Sequence, residues 1–124
     1  MIRCRVLAMA GIQISTPVLN VLLALADRER HGYGIMLEVA NFTDGSVRLG
    51  PGTLYGAIKR MLGAGLVEEC EGPDEPGDDE RRRYYRLTGL GQETLATELA
   101  QAARTVAVGR DKHVGFPKTG KAEA

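Results

Sequence analysis

Nine consecutive residues, Val18 to Ala26, carry a single polar side chain, that of Asn20. A helix that is apolar on every side has to be buried. Thr16 to Asp27 is therefore read as an interior helix, with Thr16 as its N-cap and Pro17 at the first helical position, where the missing N–H of proline is harmless. A second apolar run, Val6 to Ala10, follows Arg3 and Arg5. It is too short for a signal-peptide core or a membrane span.

Charged residues and a glycine, Asp27-Arg28-Glu29-Arg30-His31-Gly32, predict a turn after the first helix. Apolar spacing resumes at Ile35, Met36, Val39 and Phe42, which predicts a second helix over Gly34 to Thr43. Thr43-Asp44-Gly45-Ser46 is loop chemistry, and Val47-Arg48-Leu49 is read as a short strand interrupted by Gly50-Pro51-Gly52. Thr53 to Ala64 then carries Leu54, Ile58, Met61 and Leu62 on one helical stripe and stops at Gly65, a natural C-terminal cap. Leu66 to Cys70 and Arg82 to Leu87 read as strands joined by a long hairpin loop rich in Gly, Pro and Asp. Thr88 can cap a last helix over Gly89 to Val108, and the tail over 109–124 has no periodicity and is expected to be disordered. A three-helix unit followed at once by a hairpin is mainly α with a small β hairpin, the arrangement of a winged helix-turn-helix with one further C-terminal helix.

Length and apolar content suit one folded domain: 124 residues, 44% hydrophobic and 26% charged. The cysteines, Cys4 and Cys70, lie far apart without metal-ligand spacing, so neither a disulfide framework nor a zinc site is expected, and a reducing cytoplasm fits. No other metal site and no cofactor is called for. Formal net charge is zero, which by itself speaks against a nucleic-acid partner, but the distribution is uneven. Between Asp44 and Glu68 the only charges are Arg48, Lys59 and Arg60, and between Glu80 and Glu93 they are Arg81, Arg82, Arg83 and Arg86. Acid collects in Glu71 to Glu80.

On a helical wheel the side of the third helix opposite its apolar stripe carries Gly52, Gly56, Lys59, Arg60 and Gly63. Glycine lets a backbone approach a groove wall closely, and Lys and Arg reach phosphates or guanine edges. Thr53 and Tyr55 lie near the helix N-terminus, where backbone N–H groups favour a phosphate. The alternative is a surface helix with two solvated cations and a tyrosine at the edge of the core. On the second hairpin strand, alternation sends Arg82, Tyr84 and Arg86 to one face and Arg81, Arg83 and Tyr85 to the other, so one face can meet phosphates while the other packs. Here the alternative is a solvated edge that guards the strand from aggregation, paired with Asp78-Asp79-Glu80. The acidic tip points to the strand base as the part that meets DNA.

Several blocks resemble the PadR family of transcriptional regulators. They are Leu25-Ala26-Asp27-Arg28-Glu29-Arg30-His31-Gly32-Tyr33-Gly34-Ile35-Met36, then Leu49 to Met61 with Gly50-Pro51-Gly52-Thr53-Leu54-Tyr55-Gly56, then Gly65-Leu66-Val67-Glu68, and Arg81 to Gly91 with Tyr84-Tyr85-Arg86-Leu87-Thr88. The resemblance implies a homodimeric regulator, commonly a repressor, that applies its third helix and wing to a partly palindromic operator in double-stranded DNA. On that analogy Thr53, Tyr55, Gly56, Lys59, Arg60, Arg82 and Arg83 are the DNA-binding positions. His31 and Tyr33 match the opening of the family's second helix and are candidates for a phosphate contact, with local packing and capping as the other reading. Residues 1–15 precede the usual family start, as an N-terminal extension: either Met9 is the true initiator or the extra segment joins the dimer interface. The DNA-binding domain is then 16–88, and 89–108 is a C-terminal dimerisation helix as in the family's shorter branch.

Leu95, Leu99, Ala102 and Val106, with Leu90 nearby, form an apolar stripe on that last helix which needs cover. The helix either folds back on its own core or, by the family analogy, packs against a second subunit. Some relatives bind small hydrophobic effectors at the dimer interface, which shifts the population away from the DNA-competent form. A winged-helix module that binds protein remains the rival, since fold alone does not decide function. An enzyme is not expected. The Gly50-Pro51-Gly52-Thr53 turn lacks the lysine of a phosphate-binding loop, and no nucleophile–base or paired-carboxylate arrangement accompanies it.

Overall fold

The apolar run at Val18 becomes the centre of the molecule: Val18, Val21, Leu22 and Ala24 are wholly buried in a computed structural model that describes residues 13–72 and 83–117. This first helix, α1 (Thr16–Ala24), packs against all three other helices, α2 (Gly32–Phe42), α3 (Pro51–Gly63) and α4 (Gly89–Asp111). Its cap is Ser15 and not Thr16, because the Ser15 hydroxyl accepts the Val18 N–H at 3.5 Å. It also stops short of Asp27. The Arg30 guanidinium reaches back to the Ala24 carbonyl at 2.8 Å and takes one of the acceptors the helix end leaves over. Arg30 is held there by Asp27 at 3.2 Å and Glu38 at 3.7 Å.

Strands β1 (Arg30–His31), β2 (Val67–Cys70) and β3 (Tyr84–Leu87) form one antiparallel sheet in the order β1-β3-β2. Arg30 is opposite Tyr85 and His31 opposite Tyr84 on one side of β3, while Val67 is opposite Leu87 and Cys70 opposite Tyr84 on the other. The short strand expected at Val47–Leu49 is absent, and its place beside the hairpin belongs to β1, in the segment read as a turn. At Val47 the backbone N–H is taken by the Thr43 hydroxyl at 3.2 Å, and Leu49 is buried as a side chain only.

Helix α2 opens at Gly32, two residues before the expected start, because the His31 Nδ1 accepts the Gly34 N–H at 3.0 Å and serves as the cap. Helix α3 likewise begins at Pro51, inside the triplet read as a break, since a proline at the first helical position loses no hydrogen bond. Its core positions are Leu54, Ala57, Ile58 and Met61, while Leu62, placed on the stripe from sequence, sits at the edge, 37% exposed. As read from sequence, Gly65 ends the helix: it takes φ +78°, and the Leu66 N–H closes on the Met61 carbonyl at 2.9 Å. Thr88 caps α4 by accepting the Gly91 N–H at 3.0 Å. That helix runs on to Asp111 instead of ending at Val108, and Phe116 folds back beneath the Arg110 guanidinium, 5.4 Å from ring centre. Among the described residues no helix is long and apolar enough to cross a membrane.

Candidate nucleic-acid interface

Burying Leu54, Ala57, Ile58 and Met61 turns the other side of α3 outward. Thr53, Tyr55, Lys59 and Arg60 are all exposed there and Gly56 is half-buried. Among the described residues neither Lys59 nor Arg60 has an ion-pair partner. Among the described residues nothing requires glycine on this face. A Cβ added at Gly52 or Gly63 would meet no atom within 4 Å, and one at Gly56 only the Arg60 guanidinium at 3.7 Å. The face is therefore smooth, cationic and open to a large ligand. Thr53 sits in the first turn of α3, where the N-cap Gly50 offers no side chain to the leading N–H groups, which leaves them available to an anion.

The wing is more closely paired. Arg86 Nε donates to Glu68 at 2.8 Å across the β2–β3 ladder, and Arg83 lies 3.4 Å from Glu69. Arg83 is exposed, but its charge is partly met within the chain; Arg82 lies outside the described residues, as does most of the acidic tip. Tyr84 and Tyr85 do not split between a buried and an open face: both are buried. Tyr85 joins the core, while the Tyr84 ring packs on Gly72 and takes the edge of His31, centroids 5.2 Å apart at 81°. Burial pushes the Tyr85 phenol above the usual tyrosine range, with Glu69 and Tyr55 adding to the shift and Arg83 opposing it. Burial likewise raises the Cys70 thiol.

His31 is built into the structure as the cap of α2 and a neighbour of Tyr84, the local role weighed from sequence, whereas Tyr33 in the next turn is exposed. Two contributions were not legible beforehand. Arg30, grouped with a charged turn, closes the end of α1. Gly32 is a bare patch on which the Tyr55 phenol rests; the Gly-Tyr and Leu-Tyr-Gly blocks contain both residues, but nothing in the sequence pairs them. The stripe on α4 divides: Leu95 is buried in the chain's own core and Leu90 packs against it, while Leu99, Ala102 and Val106 are exposed. Among the described residues no cluster of three His, Cys, Asp or Glu is placed to hold a metal ion.

Comparisons with known proteins converge. Residues 21–97 match the profile of the Transcriptional regulator PadR-like family. The chain is similar to a 37.1 kDa protein in transposon TN4556 of Streptomyces fradiae, with 42% identity over 84 residues that span 68% of this chain but 22% of that protein. It is 31% identical over 100 residues to the transcriptional regulator Rv3488 of Mycobacterium tuberculosis, covering 78% of this chain and 88% of that one. Among solved structures it resembles a PadR family transcription regulator from Clostridium difficile R20291, with TM-score 0.64 and 26% identity over 82% of this chain and 100% of the other.

Proposed function

The chain belongs to the PadR-like family of transcriptional regulators, and from that premise we propose that it is a cytoplasmic homodimer which binds a partly palindromic operator in double-stranded DNA and represses transcription. PadR-family regulators are DNA-binding proteins, and this chain has their winged-helix fold. The observation that carries the reading is the outer face of α3, where, among the described residues, Lys59 and Arg60 stand without a carboxylate beside glycines that no contact requires. A helix of this kind enters the major groove, its cations displace counterions from phosphates or pair with guanine, and its bare backbone lets it sit deep. Arg82 and Arg83 extend the contact to flanking phosphates. Two copies related by a two-fold axis present their α3 helices about one DNA turn, roughly 34 Å, apart. A small hydrophobic effector at the subunit interface would relieve repression by favouring a spacing that no longer fits.

Selection of bound fragments from genomic DNA by the purified full chain tests this directly, with an enriched inverted repeat as the expected product. On that fragment Lys59→Ala and Arg60→Ala should each weaken binding by roughly 1–3 kcal/mol if they read bases, or lower the salt dependence by about one ion if they meet phosphates. The internal pairing of Arg83 and Arg86 supports a second reading, a winged-helix module that binds protein. Such a module would enrich no fragment and ignore both substitutions.

A further inference from the structure

We infer that Tyr55 is a positioning residue that locks α3 to the wing: its phenol is seated on Gly32, the residue that joins β1 to α2, and through β1 the seat is tied to β3. The inference rests on the DNA-binding reading given above and reassigns one residue within it, from a base or phosphate contact to a strut.

Geometry at Gly32 carries the argument. A Cβ built there would overlap the Tyr55 hydroxyl and stand 2.7 Å from Cζ and 3.1 Å from Cε1. Real Cβ atoms do not approach so closely, so a side chain at position 32 would push the phenol off its seat. The backbone does not demand glycine there, since the glycines at positive φ are Gly45 and Gly65. Gly32 is itself buried and follows directly on Arg30 and His31, which pair with Tyr85 and Tyr84 of β3. His31 therefore ties the seat of the phenol to β3, the strand that Arg83 immediately precedes. Tyr85 senses the same neighbourhood, because Tyr55, Glu69 and Arg83 all act on its phenol.

Leverage explains why such a strut matters. At its C-terminal end α3 is joined to β2 through the Gly65 turn, closed by the Leu66-to-Met61 hydrogen bond. Buried Leu54, Ala57, Ile58 and Met61 seat the inner face of α3 on the core. Tyr55 lies ten residues before Gly65, about 15 Å along the axis, and adds a second tie, to the residue that follows β1. With both in place, α3 and the base of the wing hold one spacing, which a groove and its flanking phosphates can select.

The test uses the full chain and a fragment selected by the wild-type protein. Tyr55→Phe keeps the ring on its seat and should bind within about twofold of wild type. Tyr55→Ala and Gly32→Ala should each weaken binding by about tenfold, and the double variant should be no weaker than Tyr55→Ala, as expected of two residues acting through one contact. Both should also lower the salt dependence, although neither changes a charge, because the wing loses its phosphates. Tyr55→Phe as damaging as Tyr55→Ala, or a Gly32→Ala protein that binds like wild type, overturns the strut. If Gly32→Ala does not fold, the contrast between Tyr55→Phe and Tyr55→Ala decides alone. Should the wild-type chain bind no fragment, the DNA-binding reading fails separately. The strut is then judged by amide exchange at Tyr84 and Tyr85: faster exchange in Tyr55→Ala supports it, and unchanged exchange overturns it.

Discussion

On the DNA-binding reading proposed above, Glu69 would compete with phosphate for Arg83. The two side chains lie 3.4 Å apart on the surface of the wing, and an exposed pair of this kind is worth at most about 1 kcal/mol. A phosphate that takes Arg83 must first displace the carboxylate, so Glu69→Gln should strengthen binding to an operator fragment by about threefold and steepen its salt dependence. Fluorescence anisotropy at two salt concentrations reads both effects; unchanged affinity would mean that Arg83 faces away from the duplex. At this scale the sequence was informative about α3 and much less so about the wing. Lys59 and Arg60 follow from a helical wheel because their surroundings are the helix itself. The pairing of Arg83 with Glu69 depends on strand register, and the seat of Tyr55 on Gly32 depends on how two helices meet, neither of which periodicity encodes.

Three elements meet at one turn between α3, β2 and α4. The Thr88 hydroxyl donates to the Gly65 carbonyl at 2.5 Å and accepts the Gly91 N–H at 3.0 Å, while the Thr88 N–H donates to Leu66 O at 3.0 Å. A Cβ at Gly91 would overlap that same Leu66 carbonyl and lie 3.1 Å from its carbon. Gly91→Ala is ordinarily a gain for a helix, by about 0.5–1 kcal/mol. Here it should instead cost about 1–3 kcal/mol, because backbone must move to make room; Thr88→Ala should cost about 1–2 kcal/mol through loss of the cap. Urea unfolding of the two variants checks the signs, and a stabilised Gly91→Ala protein would show that α4 is not seated on this turn. The helices themselves were legible to within a few residues, since they carry their own apolar runs or stripes and start or stop signals such as Asp44-Gly45, Gly65 and Thr88. Their true starts, at Thr16, Gly32 and Pro51, follow caps at Ser15, His31 and Gly50 that had been assigned to neighbouring residues or read as turns and breaks. Strand β1 escaped because two residues are too short for any alternation, and only β3 makes them a strand.

At the scale of the whole molecule, the described residues leave one helix half covered. Helix α4 has 23 residues, about 35 Å of length, and among the described residues the core takes up only its first turns, at Gly91, Thr94 and Leu95. Beyond them Leu99, Val106 and Val108 are each more than 40% exposed, with Ala102 between. Sequence alone left open whether this stripe folds back or pairs with a partner, because a stripe records only that cover is needed. The fold divides it, and the division dictates how dimerisation is tested. Removing α4 at Thr88 would also remove Leu95 from the core, so loss of a dimer would be mixed with loss of the fold. Leu99→Lys together with Val106→Lys leaves Gly91, Thr94 and Leu95 in place and sets cations on the outer half alone. If two subunits meet there, sedimentation should find a folded monomer. Its affinity for an inverted repeat should fall toward that for a single half-site, because the second site is no longer presented at high local concentration. A dimer of unchanged stability would place the subunit contact elsewhere, and the outer half of α4 would then need another partner to cover its apolar side chains.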